Sequence, residues 1–109
     1  MAVSYEEAAG IIRAHFEPGW TYGTFCLDDR YITENDEFYV FEVGAREYLV
    51  DGDINYALAG GVPVVFKSDG HIESRASVTV AMDPTIRGRP NPTPRLRIRA
   101  RHRIGAASA

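Results

Sequence analysis

The chain has a single cysteine, Cys26, among its 109 residues, so no internal disulfide can form. It has no long apolar run. The longest, Val62-Pro63-Val64-Val65-Phe66, is far short of the roughly 20 residues a bilayer-spanning helix needs. The first residues, Met1-Ala2-Val3-Ser4-Tyr5-Glu6-Glu7, carry acids where an export signal would carry a basic region followed by an apolar one. Neither G-x-x-x-x-G-K-[ST] nor G-x-G-x-x-G occurs, so the glycines do not form a phosphate loop, and the D-x-[DN]-x-[DN]-G calcium pattern is missing too. His15, His71 and His102 are scattered without metal-ligand spacing. These absences argue against a membrane protein, a disulfide scaffold, a nucleotide-binding enzyme and a metalloprotein. No metal and no cofactor are expected. With no export signal and one thiol, a reducing cytoplasm is the expected compartment.

What is present is an ordinary globular composition, 45% apolar and 25% charged, in a length that suits one modest core. Its charge is split. Residues 1–82 hold fourteen acidic and five basic groups, a balance of −9. Residues 83–109 hold seven arginines against Asp83 alone, a balance of +6. Such asymmetry bears on partners more than on fold. It divides the chain into a domain over 1–82 and a Pro/Arg-rich basic C-terminal extension over 83–109.

Ser4 and Glu7 form an S-x-x-E capping box, and Ala8, Ile11, Ile12, His15 and Phe16 recur at helical spacing. This predicts a helix over 5–16, stopped by Pro18-Gly19. Trp20–Leu27 reads as a strand, residues 28–37 as a polar connection, and Glu37–Val43 as a central strand apolar on both faces. Arg46–Leu49 reads as a further strand. Asp53 is a fitting N-cap and Gly60 a fitting stop for a short helix over 54–59. Val62–Lys67 is a strong strand. Asp69-Gly70 signals a type I′ hairpin turn, and Ile72–Val80 alternates as a half-buried strand. The expected class is α+β: one long N-terminal helix packed on a 4–5-stranded antiparallel sheet, with a short second helix.

Four prolines between Asp83 and Pro94 suggest an extended linker. From Arg95 to Ile104, Arg95, Arg97, Arg99, Arg101 and Arg103 then alternate with Leu96, Ile98, Ala100, His102 and Ile104. Three readings stay open for this tail. It binds phosphates, it returns onto the acidic body as an edge strand, or it remains an unstructured extension. It lacks stacking aromatics, which weighs against nucleic acid.

Nucleophilic catalysis needs an activated Ser or Cys with a base and an orienting group, and no such spacing is present; Cys26 reads as a small core hydrophobe. The acids are more informative. Asp28, Asp29, Glu34, Asp36 and Glu37 cluster within ten residues, with Tyr31 among them, and Asp51 and Asp53 bracket a glycine. They form either a solubilising loop or an acidic face that steers and binds a basic partner. Binding without catalysis is the expected mode.

The order of Ser4-Tyr5-Glu6-Glu7-Ala8, Tyr39-Val40-Phe41, Tyr48-Leu49, Gly52-Asp53, Leu58-Ala59-Gly60-Gly61-Val62-Pro63 and Asp69-Gly70-His71-Ile72 resembles the immunity protein 35 family, also called YrhB-like. The resemblance spans about residues 3–80. It implies a small bacterial cytoplasmic α+β protein that neutralises a cognate toxin of a polymorphic toxin system. A basic nuclease toxin would suit the acidic body. Asp28, Asp29, Tyr31, Glu34, Asp36, Glu37, Asp51 and Asp53 are the expected interface, on a monomer or weak dimer. Ser4, Glu7, Tyr39, Gly60, Gly61, Pro63, Asp69 and Gly70 carry the motif structurally. Two positions depart from the family: Tyr39 stands where Trp is usual, and Gly61 where Asn is usual. A chaperone-like or regulatory binding module without a dedicated toxin is the alternative.

Overall fold

The computed structural model describes residues 2–58 and 60–97. They form an α+β domain with a five-stranded antiparallel sheet and three α-helices. The order is α1 (Tyr5–Phe16), β1 (Phe25–Glu34), β2 (Phe38–Ala45), α2 (Arg46–Leu49), a 3₁₀ turn (Ile54–Tyr56), β3 (Val62–Phe66), β4 (Ile72–Arg75), α3 (Ser77–Met82) and β5 (Arg87–Pro90). Across the sheet the strands run β4-β3-β2-β1-β5.

The capping box forms as read: Ser4 Oγ accepts the Glu7 N–H, and Glu7 Oε1 accepts the Ser4 N–H. Those bonds hold the Glu7 carboxyl below its ordinary range. Tyr5, Ala8, Ala9 and Ile12 are the buried stripe of α1. They join Leu27, Ile32, Tyr39, Phe41 and Val65 in one apolar cluster. Tyr5 stacks on Phe41 at 5.3 Å and meets Tyr39 edge-on at 5.6 Å. Val3 donates its N–H to the Lys67 carbonyl and accepts the Tyr39 hydroxyl, tying the chain start to β2 and β3. His15, expected on the core-leaning side, is exposed at the end of α1, edge-on to Phe16.

Cys26, Phe38 and Val64 alternate to the opposite face and are buried there as well. Arg75 lies over the Phe38 and Phe66 rings. Burial pushes the Cys26 thiol above its ordinary value, as suits a core thiol.

Several elements differ from the sequence expectation. Residues 20–24 turn through Gly23 at φ +69°, and β1 runs on to Glu34 through the supposed polar connection. The strand tolerates its acids because cations or N–H groups meet Asp28, Asp29 and Glu34 there. Arg46–Leu49 is a helical turn, because β2 reaches the end of β1 at the Phe25–Ala45 pair and has no partner beyond. Asp53 caps its turn by accepting the Asn55 N–H, but only Ile54–Tyr56 coil, as a 3₁₀ turn; Ala57 is already extended. Ala59, the end of that expected helix, lies outside the described residues.

The β3–β4 connection is a five-residue loop over 67–71, not a type I′ turn. Only Gly70 has positive φ, +79°, and the Asp69 carboxylate accepts the His71 N–H. β4 ends at Arg75 because β3 offers it no residue beyond Val62, so Ser77–Met82 close their own hydrogen bonds as α3. Residues 76–86 then pass from one sheet edge to the other. There Arg87–Pro90, inside the stretch read as an extension, pair with Tyr31–Glu34 of β1. Arg95–Arg97 are not in a strand, and residues 98–104 of the alternating tail lie outside the described residues.

Candidate functional site

The structure spreads the acidic residues over different roles. Asp28 takes Arg30 in a two-point contact, Nε to Oδ1 at 2.8 Å and Nη2 to Oδ2 at 2.6 Å. These bonds hold the Asp28 carboxyl below its ordinary range. Glu34 accepts Lys67 Nζ at 2.8 Å and lies 3.4 Å from Arg89 Nη2, and its carboxyl is lowered chiefly by the lysine. Asp29 is only 2% exposed. Its carboxylate accepts the backbone N–H groups of Arg95 and Leu96 and faces Arg13 at 3.5 Å, while its carbonyl accepts Asn91 Nδ2. It is a structural carboxylate.

Tyr31, 64% exposed on β1, remains on the surface. Asp36 and Glu37 are exposed in the β1–β2 turn, where Arg87 Nη2 comes within 3.5 Å of Asp36. Asp51 and Asp53 follow α2, at the other end of the eight-residue β2. The eight candidate residues therefore do not converge on one surface.

What the fold does bring together is a groove that sequence reasoning missed. The β2–β3 ladder holds only where Phe38, Tyr39 and Val40 face Phe66, Val65 and Val64. Beyond Val40 the two strands part, while β2 keeps pairing with β1 up to Ala45. Pro63 brings no N–H to the ladder where they separate. Into this opening project Phe16, Trp20, Tyr48, Leu49, Tyr56 and Leu58, and the space enclosed is about 500 Å³. Val43, Ala45, Pro63 and Ile72 extend its apolar lining. Trp20 is held by its Nε1–H on the Tyr22 carbonyl and by an edge-on contact with Phe25. Tyr22 in turn bonds the Asn55 carbonyl and meets Tyr56, so the aromatic wall is braced. The legible signals were the aromatic density and Pro63; the parting of the ladder was not.

Two carboxylates line the groove. Glu73 already has Arg75 at 3.0 Å and His71 Nε2 at 3.0 Å. Glu42 has no ion pair or side-chain hydrogen bond among the described residues. Burial of its carboxyl raises its pKa, and neighbouring Asp28 adds to the shift.

Gly61 closes one wall. A Cβ there would stand 2.5 Å from Ser74 Oγ and 2.6 Å from the Arg75 carbonyl oxygen, so no side chain fits this backbone. The position where the resembled family usually has Asn is thus sterically committed to glycine here.

No group of three or more His, Cys, Asp or Glu side chains is gathered as for a metal ion among the described residues. No helix among them is long and apolar enough to cross a membrane. No family model, curated protein or solved structure matches this chain.

Proposed function

We propose that the protein is a non-enzymatic binding domain of the immunity type, which holds a cognate toxin in the cytoplasm and blocks it sterically and electrostatically. The braced aromatic groove carries this reading. Tyr and Trp anchors in a concave, largely apolar patch with charged residues at its border are what protein interfaces use. The −9 balance of residues 1–82 favours a basic partner such as a nuclease toxin, which must itself hold phosphates. The ordered resemblance over residues 3–80 supplies the toxin class. Glu42 and Glu73 line the groove, while Tyr31, Asp36 and Glu37 stay exposed elsewhere on the surface.

The test is co-expression with a toxin whose gene neighbours this one. Growth restored by the protein is expected. Killing that is unchanged at equal toxin level would sink the reading.

A second reading, a chaperone-like module, draws on Val78 and Met82, which stand 67% and 76% exposed on α3. It predicts suppressed aggregation of unrelated unfolded clients. Indifference to such clients would dismiss it.

A further inference from the structure

Among the described residues the sheet has two edges of different character. β5, Arg87–Pro90, forms one. Its exposed arginines and Pro90 are features that keep a strand edge from pairing with other chains. β4, Ile72–Arg75, forms the other.

The hydrogen bonds of β4 run one way. The Phe66 N–H donates to the His71 carbonyl at 2.9 Å. In an antiparallel ladder, bonded and non-bonded pairs alternate. Val64 with Glu73 and Val62 with Arg75 are therefore the next bonded pairs. Ile72 and Ser74 turn their N–H and C=O groups away from β3. No backbone hydrogen bond meets them on that side among the described residues. Such a row of groups is a template for one more strand. Ser74 is exposed, and residues 76–82 beyond the strand carry no charged side chain to repel a neighbour.

The side chains of β4 select which strand. A second copy of β4 running antiparallel pairs about a two-fold axis. The outward groups meet only when even-numbered residues face even-numbered ones. An axis through Ile72 overlaps that strand residue alone. An axis through Glu73 sets Glu73 against Glu73, and one through Arg75 sets Arg75 against Arg75. An axis through Ser74 instead sets Glu73 against Arg75 twice, at the closer, non-bonded positions. There Ser74 exchanges both backbone bonds with the second copy's Ser74. The Ala76 N–H reaches the second copy's Ile72 carbonyl, while the Ala76 carbonyl stays with the Val80 N–H. Glu73 and Arg75 already touch within one copy at 3.0 Å. Charge therefore sets the register, and the completed ladder drives the contact.

We propose that two copies of this chain join through β4, antiparallel about an axis at Ser74, to form one sheet continuous across the pair. The inference stands apart from the toxin reading. Glu73 and Ser74 also line the groove, so the two grooves of the pair flank the axis.

Sedimentation velocity of the full chain at rising concentration is expected to show a monomer–dimer equilibrium. Ser74→Pro removes an outward N–H that β3 does not use, and edge strands accept proline at such a site. It is expected to keep the chain monomeric at every concentration. Glu73→Arg meets Arg75 of the other copy as a like charge. It is expected to weaken dimerisation by about tenfold or more, with recovery in ~1 M salt. Circular dichroism reads whether each variant keeps the parent fold, and either one that keeps it decides. A parent chain that stays monomeric, a dimer indifferent to Ser74→Pro, or a Glu73→Arg dimer as tight as the parent's overturns the proposal. None of these readouts involves a toxin, so their failure leaves the toxin reading to be judged by co-expression alone.

Discussion

The Asp29 carboxylate accepts the backbone N–H of Arg95 at 2.7 Å, across 66 residues of chain. The same carboxylate takes the Leu96 N–H at 2.9 Å and sits 3.5 Å from Arg13 of α1. One buried side chain thus joins α1, β1 and the segment after β5. Asp29→Ala removes the acceptor for two N–H groups and the counter-charge of Arg13. The expected loss is about 2–4 kcal/mol, with leftover buried donors as its cause. Denaturant unfolding measures it, and amide exchange at residues 95 and 96 should accelerate in the variant.

Two glycines should respond in opposite directions. Gly61→Ala forces a Cβ against Ser74 and the Arg75 carbonyl and is expected to cost at least about 1–3 kcal/mol through local strain. Gly10 is an exposed position within α1 with nothing within 4 Å of a Cβ, so Gly10→Ala is expected to stabilise by about 0.5–1 kcal/mol. Thermal melts of the two variants decide both signs.

Asp28 and Glu34 have carboxyls held below their ordinary range by Arg30 and Lys67. A depressed folded-state pKa contributes stability that is complete above the unfolded value and is lost as pH falls through the folded one. Stability should therefore decline as pH drops below about 4, the ordinary carboxylate range. Asp28→Asn should show a shallower decline than the parent in unfolding measured from pH 6 downward.

His71 stacks on Phe66 at 4.4 Å, with Asp69 on Nδ1 and Glu73 on Nε2. Both carboxylates raise its pKa, Asp69 most. The sign is opposite to that of the acids: the contribution is complete below the ordinary histidine value and vanishes as pH rises through the folded one. A proton NMR titration should place His71 above the ordinary value of about 6.5. In the double variant Asp69→Asn, Glu73→Gln it should fall back.

Trp20 and Tyr48 line the groove assigned to the partner. If the groove is the interface, Tyr48→Ala should weaken binding by about 2 kcal/mol or more, roughly thirtyfold in Kd, as buried aromatic anchors do. Asp36→Ala, at the far turn, should change it little. Calorimetry with the cognate partner separates the two, and equal small effects would move the interface off the groove.

Local signals were read well where the chain decides its own conformation. The Ser4–Glu7 box and the Asp53 cap both act within three residues of themselves. Reading failed where a partner strand decides. Ser77–Met82 alternates like a strand yet coils, because the ladder with β3 has already ended. Asp28–Glu34 looks like a loop yet pairs, because Arg30, Arg13, Lys67 and Arg89 answer its charges, three of them from distant positions. The acidic cluster was visible in sequence, but its dispersal was not, since strand pairing sent Asp29 inward and left Asp36 outside. The groove arises from a parted ladder, which no local pattern encodes.

Among the described residues, β5 is the last strand to leave the ribosome and the one that covers β1. Until residue 90 has emerged, the whole pairing edge of Tyr31–Glu34 lacks this neighbour in a nascent chain. Joining β1 to β5 also closes a long span of sequence, the kind of contact that slows folding. A chain interrupted before Arg87 would therefore present a bare strand to other copies, so the short, arginine-bearing β5 also guards the newborn protein against self-association.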